Sequence, residues 1–229
     1  MTVVAAVAAA LERELGPAVH RDAPLGARTT YRVGGAASVL VEADSVADLL
    51  AVARSVGSAS ETLPVPLVVV GRGSNLLVAD AGFAGVAVVL GEGLGSIEVD
   101  GKVVTVGGSA ALPVVARRSA AAGLTGFEWA VGVPGSIGGA VRMNAGGHGS
   151  EMLAALRRVR VVDLRTGEDR WVHVADLELG YRRSCLLPHQ VVAAAELVLA
   201  PGDRVASESE LGEIVRWRRE HQPGGANAG

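Results

Sequence analysis

Two glycine-rich segments contain the residue types in this sequence that could hold a ligand. The first, Val70-Gly-Arg-Gly-Ser-Asn-Leu-Leu77, follows a short apolar run, Pro66 to Val70, of the kind typical of a buried strand. Consecutive backbone N–H groups in such a turn can form an anion site, and glycine lets the main chain approach a phosphate. Ser74 and Asn75 add side-chain donors. The spacing fits neither G-x-G-x-x-G nor the P-loop, so an ordinary turn between strands explains this segment equally well.

The second segment covers residues 131–149, which include seven glycines. Gly132-Val-Pro-Gly-Ser-Ile-Gly-Gly-Ala140 leads into Met143-Asn-Ala-Gly-Gly-His-Gly149. We expect regular structure to be interrupted here by a long loop that is poor in side chains. Ordering such a loop is costly in conformational entropy, which favours a flat or extended ligand lying against its backbone over a merely flexible loop.

The elements around these segments suggest two halves. Hydrophobic periodicity, capping boxes and two-residue turns predict helices over Val3 to Leu15, Ser45 to Val56, Ala111 to Ala122 and Ser207 to Glu220, with hairpins at Asp100-Gly101 and Thr166-Gly167. One half is βαβ-like and the other is rich in hairpins. We therefore predict an α+β protein with two lobes, which meet between Leu90 and Ser96.

Composition excludes several classes of function. The 229 residues carry a formal charge of −3, which gives no electrostatic drive toward nucleic acid or an anionic membrane. The single cysteine, Cys185, excludes an internal disulfide, and the five histidines lack metal-ligand spacing, so no metal site is predicted. Apolar Val3 to Leu11 follows no basic residue, which indicates a surface helix and not a secretion signal; the predicted location is the cytoplasm.

Six short stretches, taken in order, are specific. They are Thr29-Thr-Tyr-Arg-Val-Gly-Gly35, Gly71-Arg-Gly-Ser-Asn-Leu-Leu77, Gly126-Phe-Glu-Trp129, Gly132 to Ala140, Met143-Asn-Ala-Gly146 and Gly180-Tyr-Arg-Arg-Ser184. With the terminal Asn227-Ala-Gly229 they span nearly the whole chain. Together they resemble the UDP-N-acetylenolpyruvoylglucosamine reductase family.

The resemblance implies a fold and a cofactor. The fold is a two-lobed FAD-binding fold of the vanillyl-alcohol-oxidase type, with residues 1–92 and 93–203 as the lobes and 204–229 as the start of a C-terminal substrate domain. FAD binds non-covalently with its pyrophosphate on glycine-loop backbone, which needs no basic patch. The cofactor-binding residues that the resemblance implies are Gly71, Arg72, Gly73, Ser74, Asn75, Leu76, Gly132, Pro134, Gly135, Ser136, Gly138, Gly139, Ala140 and Asn144.

The resemblance also implies a reaction. NADPH is the hydride donor, and the partner is a small UDP-sugar, an enolpyruvyl ether of UDP-N-acetylglucosamine. Arg182 matches the family's catalytic arginine, and Tyr181 lines the substrate site. Glu128 and Trp129 could line the flavin cleft or pack in the core. Nothing in the sequence sets an oligomeric state.

One departure from the family concerns its other catalytic groups. The family's proton-donating serine follows Asn-Ala-Gly, where this sequence ends at Gly229, and its later glutamate has no counterpart here. We therefore expect the flavin-binding part of such an enzyme. Two alternatives are a flavin-dependent oxidase or dehydrogenase of the same superfamily, which Gly180-Tyr-Arg182 disfavours, and a non-catalytic flavin-binding module.

Overall fold

The computed structural model describes residues 2–59 and 64–225, whose helices and strands are organised around two main sheets. The elements of the first part are α1 (Val3–Leu15), β1 (Val19–Ala23), β2 (Ala37–Ala43), α2 (Val46–Ala59), β3 (Leu67–Val70) and β4 (Phe83–Leu90). Those of the second part are β5 (Ile97–Asp100), β6 (Val103–Gly107), α3 (Leu112–Ala121), β7 (Leu124–Thr125), α4 (Ile137–Arg142), β8 (Gly146–Gly147), β9 (Ser150–Glu151), β10 (Leu156–Asp163), β11 (Asp169–His173), β12 (Gln190–Val198), β13 (Ala200–Pro201) and α5 (Arg204–His221).

The first sheet has the strand order β1-β2-β4-β3. Strands β2, β4 and β3 are parallel, and β1 pairs with β2 in the antiparallel sense. Parallel strands end at a common edge, so the residues that follow them, Asp44, Gly71 and Gly91, come from neighbouring strand ends. In open α/β sheets this edge is where ligands bind.

The predicted bounds of α1 and the predicted capping box of α2 are both found in the first part. Helix α1 has the predicted bounds, Val3–Leu15, and is followed by Gly16, whose φ of 53° favours a residue without Cβ. The capping box before α2 is confirmed. The Asp48 N–H donates to Ser45 Oγ at 3.2 Å, and Asp48 Oδ2 accepts from the Ser45 N–H at 2.9 Å.

The second sheet is antiparallel, in the order β11-β10-β12-β6-β5, and contains both predicted hairpins. In the first hairpin Asp100 pairs with Val103, and Gly101 has a φ of 55°. In the second, Gly167 has a φ of 75°. Two shorter antiparallel pairs, β7 with β13 and β8 with β9, lie outside this sheet.

Strand β12 joins the two parts of the molecule through its packing. Val192 faces a core built from α3, α4 and the second sheet. Its neighbours Val191 and Ala193 belong to a second core that also contains α1, α2, β2 and β4. Both faces of this strand are therefore buried at this end, and the two sheets share apolar packing. The chain passes from one sheet to the other between Leu90 and Ile97. The division into residues 1–92, 93–203 and 204–229 stays a prediction.

Two predicted element boundaries were wrong. Residues 137–142 within the glycine-rich segment form helix α4, because Ser136 caps it by accepting from the Gly139 N–H at 3.4 Å. Helix α5 begins at Arg204 and not at Ser207, because Asp203 is its cap: Oδ1 accepts from the Ala206 N–H at 2.8 Å.

No helix within residues 2–59 and 64–225 is long and apolar enough to cross a membrane. Over the same residues, His, Cys, Asp and Glu form no group of three or more that could hold a metal ion.

Candidate functional site

A cleft opens where β3 and β4 end and faces the start of α4. The cavity between the two glycine-rich segments, lined by residues 69–76 and 133–136, has a volume of about 570 Å³ and is called the main cavity; two neighbouring cavities measure about 230 Å³ and 600 Å³. All three are lined by Gly71 and Ser136. The two glycine-rich segments of the sequence therefore meet at one site, of a size that holds small molecules and cofactors.

The first glycine loop, residues 71–76, is held by close backbone contacts. Gly73 has a φ of 64°, and a Cβ there would lie 2.0 Å from the Arg28 carbonyl oxygen. The Thr30 N–H donates to the Gly73 carbonyl at 3.1 Å, so this loop rests on the segment that contains Thr29 to Gly35. A Cβ on Gly71 would lie 2.4 Å from Ser136 Oγ. Glycine at position 73 is required by its proximity to backbone, whereas at position 71 a side chain would displace the Ser136 hydroxyl.

The second loop is fixed to the second sheet through α4. The Ile137 N–H donates to the Ala110 carbonyl at 2.9 Å, and the Gly138 N–H donates to the Gly108 carbonyl at 2.8 Å. The two loops are also joined directly, because Ser74 Oγ donates to the Pro134 carbonyl at 2.6 Å. The segment is thus an ordered wall of the cleft and not a flexible loop.

Most of the residues predicted to bind the cofactor line these cavities. The main cavity is lined by Gly71, Arg72, Gly73, Ser74, Asn75, Leu76, Pro134, Gly135, Ser136, Gly139 and Ala140, and Gly138 lines the 230 Å³ cavity. Gly132 lies elsewhere, against α5: a Cβ there would be 2.9 Å from Ile214 Cγ2.

Asn144 also does not line the three cavities. It is 1% exposed, and its Oδ1 accepts from the Leu153 N–H at 3.0 Å. Its Nδ2 donates to the Gly180 carbonyl at 3.2 Å. The side chain therefore holds the polypeptide on both sides, and its role as a cofactor ligand stays a prediction.

The main cavity is electropositive. Arg72, Arg142 and Arg182 line it, and none of the described residues around it is Asp or Glu. The neighbouring 600 Å³ cavity, in contrast, is lined by Glu42, Asp44 and Glu92 as well as by arginines. The local excess of positive charge in the main cavity contrasts with the formal charge of −3 on the whole chain. Phosphate binding was predicted to rest on backbone N–H groups without a basic patch, so this concentration of arginines was not expected.

Arg182 reaches this cavity from a tight turn, residues 180–183, which we call the Arg182 turn. The turn is closed by reciprocal backbone hydrogen bonds between Gly180 and Arg183, at 3.1 and 3.2 Å. Arg182 has a φ of 55°, a backbone region that residues with a Cβ rarely occupy. Its Nη2 donates to the Gly146 carbonyl at 3.3 Å. Tyr181 is 86% exposed and does not line the three cavities.

Arg142, the last residue of α4, was missed by sequence reasoning. It lines both the 570 Å³ and the 230 Å³ cavities. The signal available was its position between two recognised stretches, Gly132 to Ala140 and Met143 to Gly146. Its contribution depends on contacts with residues more than 40 positions away, which a sequence pattern does not display.

Glu128 and Trp129 pack in the core, which is one of the two places predicted for them, and not in the flavin cleft. Both are buried and neither lines the cavities. Glu128 Oε1 accepts from Ser207 Oγ at 2.6 Å, and Oε2 accepts from the Gly126 N–H at 2.7 Å. The carboxylate therefore anchors α5 to the segment that precedes the second glycine loop. Asn227-Ala-Gly229, part of the resemblance, lies outside the described residues.

Comparisons with known proteins agree with this site. The FAD binding domain family matches residues 37–173. A UDP-N-acetylenolpyruvoylglucosamine reductase of Bacillus velezensis is 36% identical over 217 residues, which cover 93% of this chain and 69% of the relative. The crystal structure of UDP-N-acetylenolpyruvylglucosamine reductase from Thermus caldophilus superposes with a TM-score of 0.78 at 33% identity, over 92% of this chain and 73% of that one.

A more distant structure is similar in fold alone. 4-Ethylphenol oxidase from Gulosibacter chungangensis superposes with a TM-score of 0.63 at 16% identity, over 87% of this chain and 43% of that one. The fold is the α+β, two-lobed FAD-binding fold of the vanillyl-alcohol-oxidase type. By its sequence, its FAD-binding domain and its structural neighbours, the chain belongs to the UDP-N-acetylenolpyruvoylglucosamine reductase family.

Proposed function

We propose that this chain binds FAD in the cleft and serves the NADPH-dependent reduction of UDP-N-acetylglucosamine enolpyruvate to UDP-N-acetylmuramate, a precursor of peptidoglycan. The observation that carries the proposal is the main cavity, where three arginines without a lining carboxylate lie beside two glycine loops. FAD, NADPH and the UDP-sugar are all anionic, so the electropositive main cavity suits each of them. Family membership supplies the reaction.

The residues around the cleft fit FAD. The loop at 71–76 lines the main cavity with glycine-rich backbone, which lets main-chain N–H groups approach a diphosphate. At the start of α4 the N–H groups of Ile137, Gly138 and Gly139 donate within the protein, so this wall shapes the cleft. Arg72 adds a guanidinium, which suits bidentate binding of phosphate. We assign cofactor binding to the predicted residues that line the cavities. We assign structural roles to Gly132, which packs against α5, and to Asn144, which holds the backbone at Gly180 and Leu153.

Arg182 is the proposed catalytic residue. Bound FAD would supply hydride transfer, and the overall reaction adds a hydride and a proton across the enolpyruvyl double bond. Negative charge builds beside the substrate carboxylate when the hydride arrives, and a guanidinium fixed at the cavity wall would stabilise that charge. Tyr181 is proposed to contact the substrate from its exposed position. The proposed location is the cytoplasm, because nucleotide sugars and NADPH are cytoplasmic metabolites.

The visible absorption spectrum of the purified chain tests this proposal. After reconstitution with FAD, we expect a bound-flavin band that NADPH bleaches under anaerobic conditions. Restoration of the band by UDP-N-acetylglucosamine enolpyruvate would support the complete reaction. A band that is bleached and then stays bleached would support the flavin-binding part alone. A folded chain that binds no FAD would refute the proposal.

Charge variants test separately whether the arginines of the main cavity bind FAD. Arg72→Met should weaken FAD binding about tenfold, because a guanidinium that contacts a phosphate contributes a charge-assisted hydrogen bond. Arg117→Met is the matched control. Arg117 is exposed on α3, donates to the Pro113 carbonyl at 3.0 Å and does not line the cleft. Equal FAD affinity in the two variants would exclude a role for Arg72 in binding.

A further inference from the structure

We infer that Arg142 and Ser184 are positioning residues that fix the Arg182 turn against the wall of the cleft. Nothing in the sequence motifs assigned either residue a role. The inference rests on the proposed function in one respect, that Arg182 acts on the substrate. It is carried by contacts that connect α4, which forms the cofactor wall, to the segment that follows the Arg182 turn.

Arg142 and Ser184 form a reciprocal pair. Ser184 Oγ donates to the Arg142 carbonyl at 2.8 Å and accepts from Arg142 Nη1 at 3.4 Å. The same Nη1 donates to the Leu186 carbonyl. The C-terminal end of α4 is thereby tied to residues two and four positions beyond Arg182. We call these three contacts the brace.

The other side of the turn is held by the residues that follow α4. Asn144 Nδ2 donates to the Gly180 carbonyl at 3.2 Å, and Arg182 Nη2 donates to the Gly146 carbonyl at 3.3 Å. The turn is therefore fixed to residues 142–146 both before and after Arg182. This matters because Arg182 has a φ of 55°, a conformation that persists only when the surrounding contacts impose it.

Charge also favours a role for Arg142 beyond packing. Its guanidinium is half-buried and lines two cavities of the cleft. Among the ion pairs of residues 2–59 and 64–225, none involves Arg142, Arg72 or Arg182. The brace orders Arg142 through neutral acceptors alone. Its positive charge therefore remains available to the cleft while its geometry fixes the turn.

The chain carries its own reporter of the brace, the thiol of Cys185. This is the single cysteine of the sequence, it is exposed, and it lies between Ser184 and Leu186. Its N–H donates to the Leu177 carbonyl at 2.9 Å, and its Sγ contacts the Asp176 carbonyl at 3.2 Å. Loosening the brace should release this segment, so the rate of reaction with an aromatic disulfide reagent measures the brace without any ligand.

The first arm of the test uses that rate in the full chain. Arg142→Met and Ser184→Ala should each raise it about tenfold, because each removes hydrogen bonds that hold the segment. Ser184→Thr, which keeps the hydroxyl, should restore a rate close to that of the unmodified chain. Arg117→Met is again the matched control. Unchanged rates in both brace variants, with circular dichroism showing a folded chain, would overturn the inference.

The second arm separates the two halves of catalysis by stopped-flow absorbance. Ser184→Ala should leave the FAD dissociation constant and the rate of flavin reduction by NADPH within about threefold. It should slow flavin reoxidation by the substrate at least tenfold, since that step is the one assigned to Arg182. In an Arg182→Met background the same substitution should have no further effect on reoxidation, because the group that it positions is gone.

The outcomes distinguish the inference from the proposed function. Additive effects of Ser184→Ala and Arg182→Met, or an equal fall in both half-reactions, would overturn a positioning role. If the unmodified chain binds no FAD, the proposed function fails, and the thiol rates still decide whether the brace holds the turn.

Discussion

Replacing Ser207 by alanine should lower the free energy of unfolding by about 2 kcal/mol at neutral pH. Ser207 Oγ donates to Glu128 Oε1 at 2.6 Å, and the two residues are 4% and 5% exposed. Alanine would leave one oxygen of a buried carboxylate without that donor. A hydrogen bond to a charged group contributes about 1.5–3 kcal/mol, and the missing oxygen atom leaves little additional cavity.

The pH dependence of this cost follows from the pKa of Glu128. Burial raises that pKa, but hydrogen bonds from Ser207, the backbone and Thr125 together lower it by more. The resulting pKa lies below the ordinary value of 4.5. A carboxyl whose pKa is lower in the folded than in the unfolded chain stabilises the fold above pH 4.5. That contribution is lost as the pH falls through the folded pKa. The cost of Ser207→Ala should therefore be greatest at neutral pH and shrink toward acid.

Urea denaturation at several pH values from about 7 down to about 3 measures both effects through the midpoint and the slope. Ser209→Ala is the control on the same helix, since Ser209 is exposed and donates to Glu213 Oε1 at 3.5 Å. We expect its effect to stay within about 0.5 kcal/mol, as for other surface substitutions. An equal loss in both variants, or a cost of Ser207→Ala that grows as the pH falls, would refute the assignment of Glu128 as a buried, hydrogen-bonded carboxylate.

Three further predictions follow from the fold and the cleft. Gly73→Ala should abolish FAD binding or folding, because its Cβ would lie 2.0 Å from a backbone carbonyl oxygen. Gly101 has a φ of 55° and open space around it, so Gly101→Ala should lower the free energy of unfolding by only about 1–2 kcal/mol. A fluorescence titration should show that Gly101→Ala still binds FAD. Ser45→Ala removes a helix cap worth about 1 kcal/mol and should lower the Tm by about 2–4 °C in calorimetry, whereas Ser58→Ala near the other end of α2 should leave it nearly unchanged. Raising the salt concentration should weaken FAD binding, because ions screen the arginines of the main cavity. In the same titration, the FAD affinity of Arg72→Met should change less with salt. An equal change with salt in the variant and the unmodified chain would contradict an electropositive main cavity.

The elements that were predicted correctly are those whose signals are local. A capping box needs only residues 45–48, and each hairpin turn needs a glycine that accepts positive φ. The apolar run Pro66 to Val70 also predicted a strand, and β3 covers Leu67–Val70, but three of its four residues are only partly buried. These features depend on contacts within a few residues, so the sequence alone determines them.

The features that were missed depend on tertiary contacts. Helix α4 contains two glycines and is poor in helix-forming residues, yet it is held by Ser136 and by the Gly108 and Ala110 carbonyls of another segment. Helix α5 was predicted to begin at Ser207, but its cap in the structure is Asp203. Ser207 was chosen from its spacing to Glu210, whereas in the fold its hydroxyl is engaged by a carboxylate 79 residues away.

The candidate site divides in the same way. The two glycine loops could be recognised from their composition, but their junction through Ser74 and Pro134 spans 60 residues. The positive charge of the main cavity arises only when Arg72, Arg142 and Arg182 come from three separate segments to one wall. The net charge of the whole sequence does not show that these three positive charges gather at one cavity.

The shared core beneath the cleft determines how a ligand can enter it. Val191 and Ala193 of β12 pack in the same apolar cluster as α1, α2 and the first sheet. Spreading the two sheets apart would expose this packing to water, at about 25 cal/mol for each Å² of apolar surface. The walls therefore keep their separation whether or not a ligand is bound. Binding then needs little of its free energy for closure, and entry and exit proceed through the mouth of a preorganised cleft.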